Sequence, residues 1–284
     1  MITMNRRDQA VAALDHLAEL PERPPLVVVD QGSVDGTAAA VTERHPAATV
    51  LALRGNHGAA GRNIGVAVAT SPYVAFSDDD SWWEPGALDL AAEILDAHPQ
   101  VGLVAARVLV GADGRDDPVN ACMEASPLEP VPGVPLPRVL GFLACGAVVR
   151  RAAFLAVGGF DPAFQVGGEE ELLALDLDAA GHRSVYAAEV RARHHPSPRA
   201  GDNGARARRQ ARNLVWVPWL RLPAGQAAAA SCRFIRSAWR DPVARGGLLD
   251  AARGWGSVRR RRRVVPPETQ AAWRCVRTAH GQDG

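Results

Sequence analysis

Lysine is absent from this chain, and all 32 of its basic residues are arginine. A phosphate-binding P-loop, the phosphate-pairing site of protein kinases and any Schiff-base enzyme each need a lysine amine, so those chemistries are excluded. No apolar run reaches the roughly 18–20 residues of a membrane-spanning helix. The start, with Arg6, Arg7 and Asp8, lacks the apolar centre of a secretory leader. The cytoplasm is therefore the expected compartment. Only four cysteines occur, Cys122, Cys145, Cys232 and Cys275, with no CxxC pair, which suggests neither a zinc site nor a disulfide framework. A dinucleotide fingerprint is missing too. Gly58-Ala59-Ala60-Gly61-Arg62-Asn63-Ile64-Gly65 has the wrong spacing and does not follow the first strand of a βαβ unit, which argues against a Rossmann dehydrogenase.

What is present is a chain of 284 residues, 47% apolar, long enough to bury a large core without staples. Its net charge of +1 conceals a division. Residues 1–200 carry 15 Arg against 26 acids, and residues 201–284 carry 17 Arg against 5 acids. We read two parts, an acidic head over 1–200 and an Arg/Trp-rich helical extension over 201–284. In the head, strand-like and helix-like segments alternate: Leu26–Val29 ending at Asp30, a helix over Thr37–Arg44, a strand over Thr49–Leu53, a helix over Ala59–Ala69, a strand running to Asp78, a helix from Glu84-Pro85 to about Ala97, and a strand over Val101–Val110. This rhythm predicts an α/β fold with a mostly parallel central sheet flanked by helices, in which ligands bind beyond the carboxyl ends of the strands. Residues 111–138, rich in Pro, Gly and Asp, read as a long loop over the site, and Phe142–Val149 as a further strand.

Asp30 and the triplet Asp78-Asp79-Asp80 fall at such strand ends. Three adjacent carboxylates repel one another unless a cation holds them, and Mg2+ or Mn2+ favours carboxylate oxygens while keeping positions open for a diphosphate. An isolated DDD is equally what a solvated acidic turn looks like; a second cluster changes the balance. Glu169-Glu170-Glu171 follows Gly167-Gly168 and opens an apolar periodic stretch, where a helix dipole also favours acids. Across one cleft, one cluster can hold a metal-bound leaving group while the other takes a proton from a hydroxyl. Arg62 can pair with a base or phosphate or solvate a helix start, and His194-His195 can supply a metal ligand or a phosphate contact.

Taken in order, Val28-Val29-Asp30-Gln31-Gly32-Ser33-Val34-Asp35-Gly36-Thr37, Gly61-Arg62-Asn63, Ala75-Phe76-Ser77-Asp78-Asp79-Asp80, Gly158-Gly159-Phe160-Asp161, Gly168-Glu169-Glu170 and His194-His195 resemble family 2 glycosyltransferases of the GT-A fold. The resemblance covers roughly residues 1–200. It implies an inverting transferase that uses a nucleotide-diphosphate sugar and a divalent cation, Mg2+ or Mn2+. It places Thr3, Asp30, Arg62, Asp78 and Asp79 on the donor, and Asp78 and Asp80, joined by His194, on the metal. Trp82 and Trp83 fall on the acceptor side. The general base is Glu170 when the register is counted back from Ala180-Gly181, and Glu169 when it is anchored on Glu171-Leu172. Where the family has a full first strand, this chain has Met1-Ile2-Thr3-Met4-Asn5, so either that strand is short or the start lies upstream.

The extension, with Trp216, Trp219, Trp239, Trp255 and Trp273 among its arginines and an unbroken run Arg259–Arg263, admits two expectations. One is an interfacial segment on the inner face of the plasma membrane, suited to a glycan or lipid-linked acceptor. The other is a helical layer packed on the head with its Trp residues buried. Nucleic-acid binding is not expected, for no recognition motif is present. The rival functions are a nucleotidyltransferase of the same fold, which lacks support from any Gly-rich basic loop near the start, and a noncatalytic membrane- or partner-binding protein.

Overall fold

The computed structural model describes residues 1–196, 203–238 and 240–279. The head runs β1 (Ile2–Thr3), α1 (Arg7–Ala18), β2 (Val27–Asp30), α2 (Thr37–Arg44), β3 (Thr49–Ala52), α3 (Gly61–Val68), β4 (Tyr73–Ala75), β5 (Ser81–Trp83), α4 (Ala87–Ala97) and β6 (Val101–Val110). It continues through β7 (Arg115–Asp116), α5 (Pro118–Glu124), β8 (Arg138–Val139), β9 (Ala147–Arg150), α6 (Arg151–Val157), α7 (Glu169–Ala179) and β10 (Arg183–His194). Five helices follow: α8 (Asn203–Arg221), α9 (Ala224–Ala238), α10 (Pro242–Arg253), α11 (Trp255–Arg261) and α12 (Pro267–Ala279).

Strands β3, β2 and β1 pair in parallel. A bridge between Ile2 and Asp78 joins them to the order β4-β9-β6-β10-β5. Strands β9 and β5 run against their neighbours, so the other six of these eight point one way and bring their carboxyl ends to one edge. Period-2 alternation sends the side chains of β6 to opposite faces. Leu103 and Ala105 join Val66, Phe154 and Leu173 of the helices on one side; Val104 and Ala106 join Leu14, Val41 and Leu95 on the other. A strand covered on both faces reads as a continuous apolar run, which is why Val101–Val110 is legible end to end.

Residues 111–138 are not one loop. Asp117 caps α5, its Oδ1 accepting from the Val119 amide at 2.9 Å, and Pro118 sits at the first helical position. The segment from Phe142 becomes strand only at Ala147, after a buried 3-10 turn over Ala144–Gly146.

The extension packs on the α7 side and shares the head's core: Trp216 and Trp273 are buried together with Phe164 and Leu172. Their indole N–H groups donate to the Ala251 carbonyl at 3.2 Å and to Glu171 Oε1 at 2.7 Å. Arg221 forks onto Asp176, and Thr269 donates to Asp178 at 2.7 Å. Of the run Arg259–Arg263, Arg261 bonds Asp161, Arg262 the carbonyls of Trp219 and Leu222, and Arg263 Asp176. The packed layer is thus present: Trp216 and Trp273 are buried, and Arg261 and Arg263 of the run meet carboxylates of the head. Trp239 lies outside the described residues. Among the described residues no helix is long and apolar enough to cross a membrane.

Strand β1 starts at the rim of a cavity of about 520 Å³ lined by Leu14, Val27, Val74 and Leu88 among others. The Met1 ammonium donates to the Val27 carbonyl at 2.8 Å. Burial, and then the charge of Arg62, push its pKa down from 8.0 to about 5. The folded value lies below the unfolded one, so the unfolded chain binds more protons between pH 5 and 8, and stability rises with pH across that window. Unfolding free energies from urea titrations should therefore rise between pH 5.5 and 8 by roughly 1.4 kcal/mol per pH unit more in the 284-residue chain than in its N-acetylated form. Parallel pH profiles for the two forms would contradict the burial of that amine.

Candidate active site at the carboxyl edge of the sheet

Strand β2 delivers Asp30, buried, whose Oδ1 accepts from the Ser33 amide at 3.2 Å and from the Ser33 hydroxyl. Strand β1 delivers Thr3, also buried, with its hydroxyl beside Asp79. After β4 the chain turns through Asp78–Asp80, held by the Asp78 amide donating to Ser81 Oγ at 2.7 Å. The turn divides its three carboxylates between two arginines. Asp78 pairs with Arg62, Asp79 with Arg6 Nε at 3.0 Å, and Asp80 with Arg6 Nη2 at 3.0 Å. His194, at the end of β10, brings Nε2 to 3.5 Å from the other Asp80 oxygen, and the His195 amide donates to the Asp80 carbonyl at 2.8 Å. The hydrogen bond to Asp80 raises the His194 pKa. Burial pushes the Asp79 carboxyl up to about 6 despite Arg6 beside it.

Arg62 is only 7% exposed, and its guanidinium lies 5.6 Å above the Phe160 ring. The loop carrying Phe160 is pinned to α3 by Asn63, which donates to the Phe160 carbonyl at 2.8 Å and accepts from its amide at 2.9 Å. Beyond it stand Glu169 and Glu170, in the first turn of α7. Burial raises the pKa of both, and the Glu169 charge adds to the rise that takes Glu170 to about 8; the Arg62 charge opposes it. Arg62 thus lies between the two carboxylate groups, paired with one and felt by the other.

The glutamate turn is fixed from the extension. Asn213 of α8, wholly buried, donates from Nδ2 to the carbonyls of Phe164 at 3.0 Å, Val166 at 3.1 Å and Gly167 at 2.6 Å. Arg212 donates to Asn213 Oδ1 at 3.0 Å and to the Ala163 carbonyl at 2.7 Å, and stacks 4.1 Å over Trp216. Gly167 and Gly168 both adopt positive φ, and a Cβ on Gly167 would fall 2.4 Å from Gln210 Cγ, so side chains are excluded there on two counts. The helix surface and the loop are fitted to each other.

Of the residues singled out in the sequence, Thr3, Asp30, Arg62, Asp78, Asp79, Asp80, His194, Glu169 and Glu170 come from distant segments to one edge of the sheet. Trp83 does not belong with them. It is 2% exposed in the core, its Nε1 donating to the Phe76 carbonyl at 3.2 Å. Alternation along β5 turns Trp82 the other way, to stack on His16 at 4.1 Å and meet His195 at 4.6 Å. Of the expected metal set, Asp80 and His194 meet at 3.5 Å, while Asp78 pairs with Arg62. Among the described residues no three His, Cys, Asp or Glu side chains converge into a cage. The donor chemistry fits a hard divalent cation, since carboxylate oxygens dominate one turn, and the guanidinium groups now on them occupy the place a cation would take.

Arg6 and Asn213 were not found from the sequence. Arg6 has no local signature, because its partners lie more than 70 residues away. Asn213 has one: it occupies the stripe of α8 shared by Trp216, Val217 and Leu220, a polar residue where the helix period calls for an apolar one.

Residues 1–157 match the family described as Glycosyl transferase family 2. Over 230 residues, 68% of this chain and 73% of the relative, the sequence is 26% identical to the N-acetylglucosaminyl-diphospho-decaprenol L-rhamnosyltransferase of Mycobacterium tuberculosis. Among solved structures, the mannosyltransferase PcManGT from Pyrobaculum calidifontis, in complex with GDP-Man and Mn2+, superposes with a TM-score of 0.60 at 21% identity, covering 99% of this chain and 85% of that one. TarS 1–349 of S. aureus, in complex with UDP, gives a TM-score of 0.55 at 16% identity, with 91% and 88% covered. The fold is therefore of GT-A type.

Removal of the Asn213 amide would take a donor from three carbonyls, of which that of Phe164 keeps the Val166 amide and those of Val166 and Gly167 lose this bond. Asn213→Ala is expected to lower stability by about 3 kcal/mol in urea unfolding, with the slope unchanged. A loss below about 0.5 kcal/mol, the size found at ordinary surface positions, would contradict the clamp.

Proposed function

The chain belongs to glycosyl transferase family 2, and on that premise we propose that it transfers a sugar, with inversion, from a nucleotide-diphosphate donor to a hydroxyl of a glycan or lipid-linked acceptor. The observation that carries the reading is the pairing of two carboxylate groups, Asp78–Asp80 and Glu169-Glu170, about a single buried arginine at the carboxyl edge of the sheet. Support for the donor class comes from the solved structures of similar fold, PcManGT with GDP-Man and Mn2+ and TarS with UDP. Support for a lipid-linked acceptor comes from the rhamnosyltransferase relative, whose name specifies a diphospho-decaprenol. Nucleotidyl transfer, the rival on the same fold, has no such support.

In this reading Asp30, Thr3 and Arg62 receive the nucleoside, and Asp79 stays buried beneath the turn. Asp78 and Asp80, with His194, would hold Mg2+ or Mn2+, whose charge would offset that of the departing diphosphate. Glu170 takes the proton of the acceptor hydroxyl while that oxygen attacks the anomeric carbon. The bond from that carbon to the diphosphate oxygen breaks, and the nucleoside diphosphate leaves with the electron pair. A carboxyl whose pKa is lifted toward neutrality by burial and a like-charged neighbour is a stronger base than an exposed one, and it is ready once deprotonated. Arg62 offers the leaving group a second positive charge if it turns from Asp78.

Glu170→Gln keeps the size and much of the hydrogen bonding but cannot accept a proton. Turnover should fall roughly 100-fold or more while donor affinity stays within about twofold. The wild-type rate should climb with pH up to about 8, because the deprotonated base is the active form, and that limb should vanish in the variant. A crippled Glu169→Gln with an active Glu170→Gln would move the base by one residue, and two active variants would overturn the assignment.

A further inference from the structure

The extension carries a cleft of about 350 Å³ between the end of α8, the start of α9 and α11, walled by Trp219, Trp255, Ala224, Val258, Arg259 and Arg262. Its floor is hydrocarbon. The two indoles meet edge to face with centroids 4.8 Å apart, and the one polar atom of Trp219 is satisfied by Ser231 Oγ at 2.9 Å. Trp255 is 38% exposed, far more than Trp216 or Trp273.

Its rim is cationic and keeps its charge. Arg262 is held by two backbone carbonyls and lies 5.8 Å over Trp219, so its position is fixed, and among the described residues it forms no ion pair with a carboxylate. Arg259 is exposed and forms no ion pair among the described residues. The acids on neighbouring elements are taken by other arginines: Asp161 by Arg261, Asp176 by Arg221, Asp250 by Arg208 and Arg253. An apolar floor with unneutralised guanidinium groups at its edge is complementary to an amphiphile bearing a compact anion, the chain lying on the indole faces and phosphate oxygens meeting the guanidinium forks. A nucleic acid would present bases rather than hydrocarbon. A soluble phosphate would leave the indoles uncovered.

We infer that this cleft binds a long-chain lipid diphosphate, with hydrocarbon on Trp219 and Trp255 and the diphosphate on Arg259 and Arg262. The cleft is structurally connected to the carboxylate site: Arg261, adjacent to Arg262, bonds Asp161, which adjoins the Phe160 that underlies Arg62. Its use for an acceptor rests on the proposed transferase reading, whereas the binding itself does not.

The test is therefore a binding measurement without donor. Farnesyl diphosphate is titrated in EDTA, so that no cation can bridge its diphosphate to Asp78–Asp80, and binding is followed by tryptophan fluorescence and calorimetry. Inorganic pyrophosphate and farnesol serve as separate arms. Farnesyl diphosphate should bind at least 10-fold more tightly than either. Trp255→Ala and Arg259→Gln, both at exposed positions, should each weaken it about fivefold or more with the thermal midpoint unchanged. Equal affinity for pyrophosphate would make this a free-phosphate site and overturn the proposal, as would unaltered binding in both variants. Cosedimentation with anionic vesicles that depends on Arg259, without saturable farnesyl diphosphate binding, would reassign the cleft to a bilayer surface and overturn it too. Loss of transferase activity with intact farnesyl diphosphate binding would count against the function proposed above and leave this site standing.

Discussion

Five carboxylates, Asp78, Asp79, Asp80, Glu169 and Glu170, stand at one edge of a sheet, and two arginines pair with the three aspartates. Two like charges 4 Å apart repel by about 4 kcal/mol at an effective dielectric near 20. Without Arg6 between Asp79 and Asp80, and Arg62 on Asp78 facing the glutamates, the acidic turn would open or take up protons. The turn stays closed on its arginines, while burial still pushes Asp79 and Glu170 toward protonation. A divalent cation and a diphosphate are ligands that could enter this balance as a pair, the one meeting the carboxylates and the other the guanidinium groups they release.

The extension supports the other half of that balance. Asn213 gathers three carbonyls of the loop before α7, Trp273 bonds Glu171, and Arg221 forks onto Asp176 one helical turn and a half further on. These contacts determine where the first turn of α7 points, and with it Glu169 and Glu170. Arg221, Arg261 and Arg263 of the extension pair with Asp176 and Asp161 of the head, so part of its arginine excess is the counterpart of head acids.

Much of the site could be read locally, because an acid directly after a buried apolar run marks a strand end: Asp30 after Val27–Val29, Asp78 after Tyr73–Phe76. The start of α7 was marked by Gly167-Gly168 before three glutamates. What could not be read depended on distant partners. Arg6 looks like any arginine at a helix start, and Trp82 differs from Trp83 only in which face of β5 it occupies. Helix α5 is seven residues long, too short for its period to stand out from the Pro- and Gly-rich segment around it, although its Asp117-Pro118 start signal was present. Trp beside Arg suits an interfacial helix and a packed layer equally well; the burial of Trp216 and Trp273 against Phe164 and Leu172 of the head leaves no mark in the local pattern.

The central claim is that the Asp78–Asp80 turn receives a nucleoside diphosphate through a divalent cation. The most direct measurement is the thermal midpoint of the purified protein with UDP, GDP or dTDP, each with and without Mn2+, repeated in Asp80→Ala. The account predicts that one of the nucleotides raises the midpoint only when Mn2+ is present, and that Asp80→Ala removes that rise. A shift of equal size without the cation, or one that persists in Asp80→Ala, would contradict it.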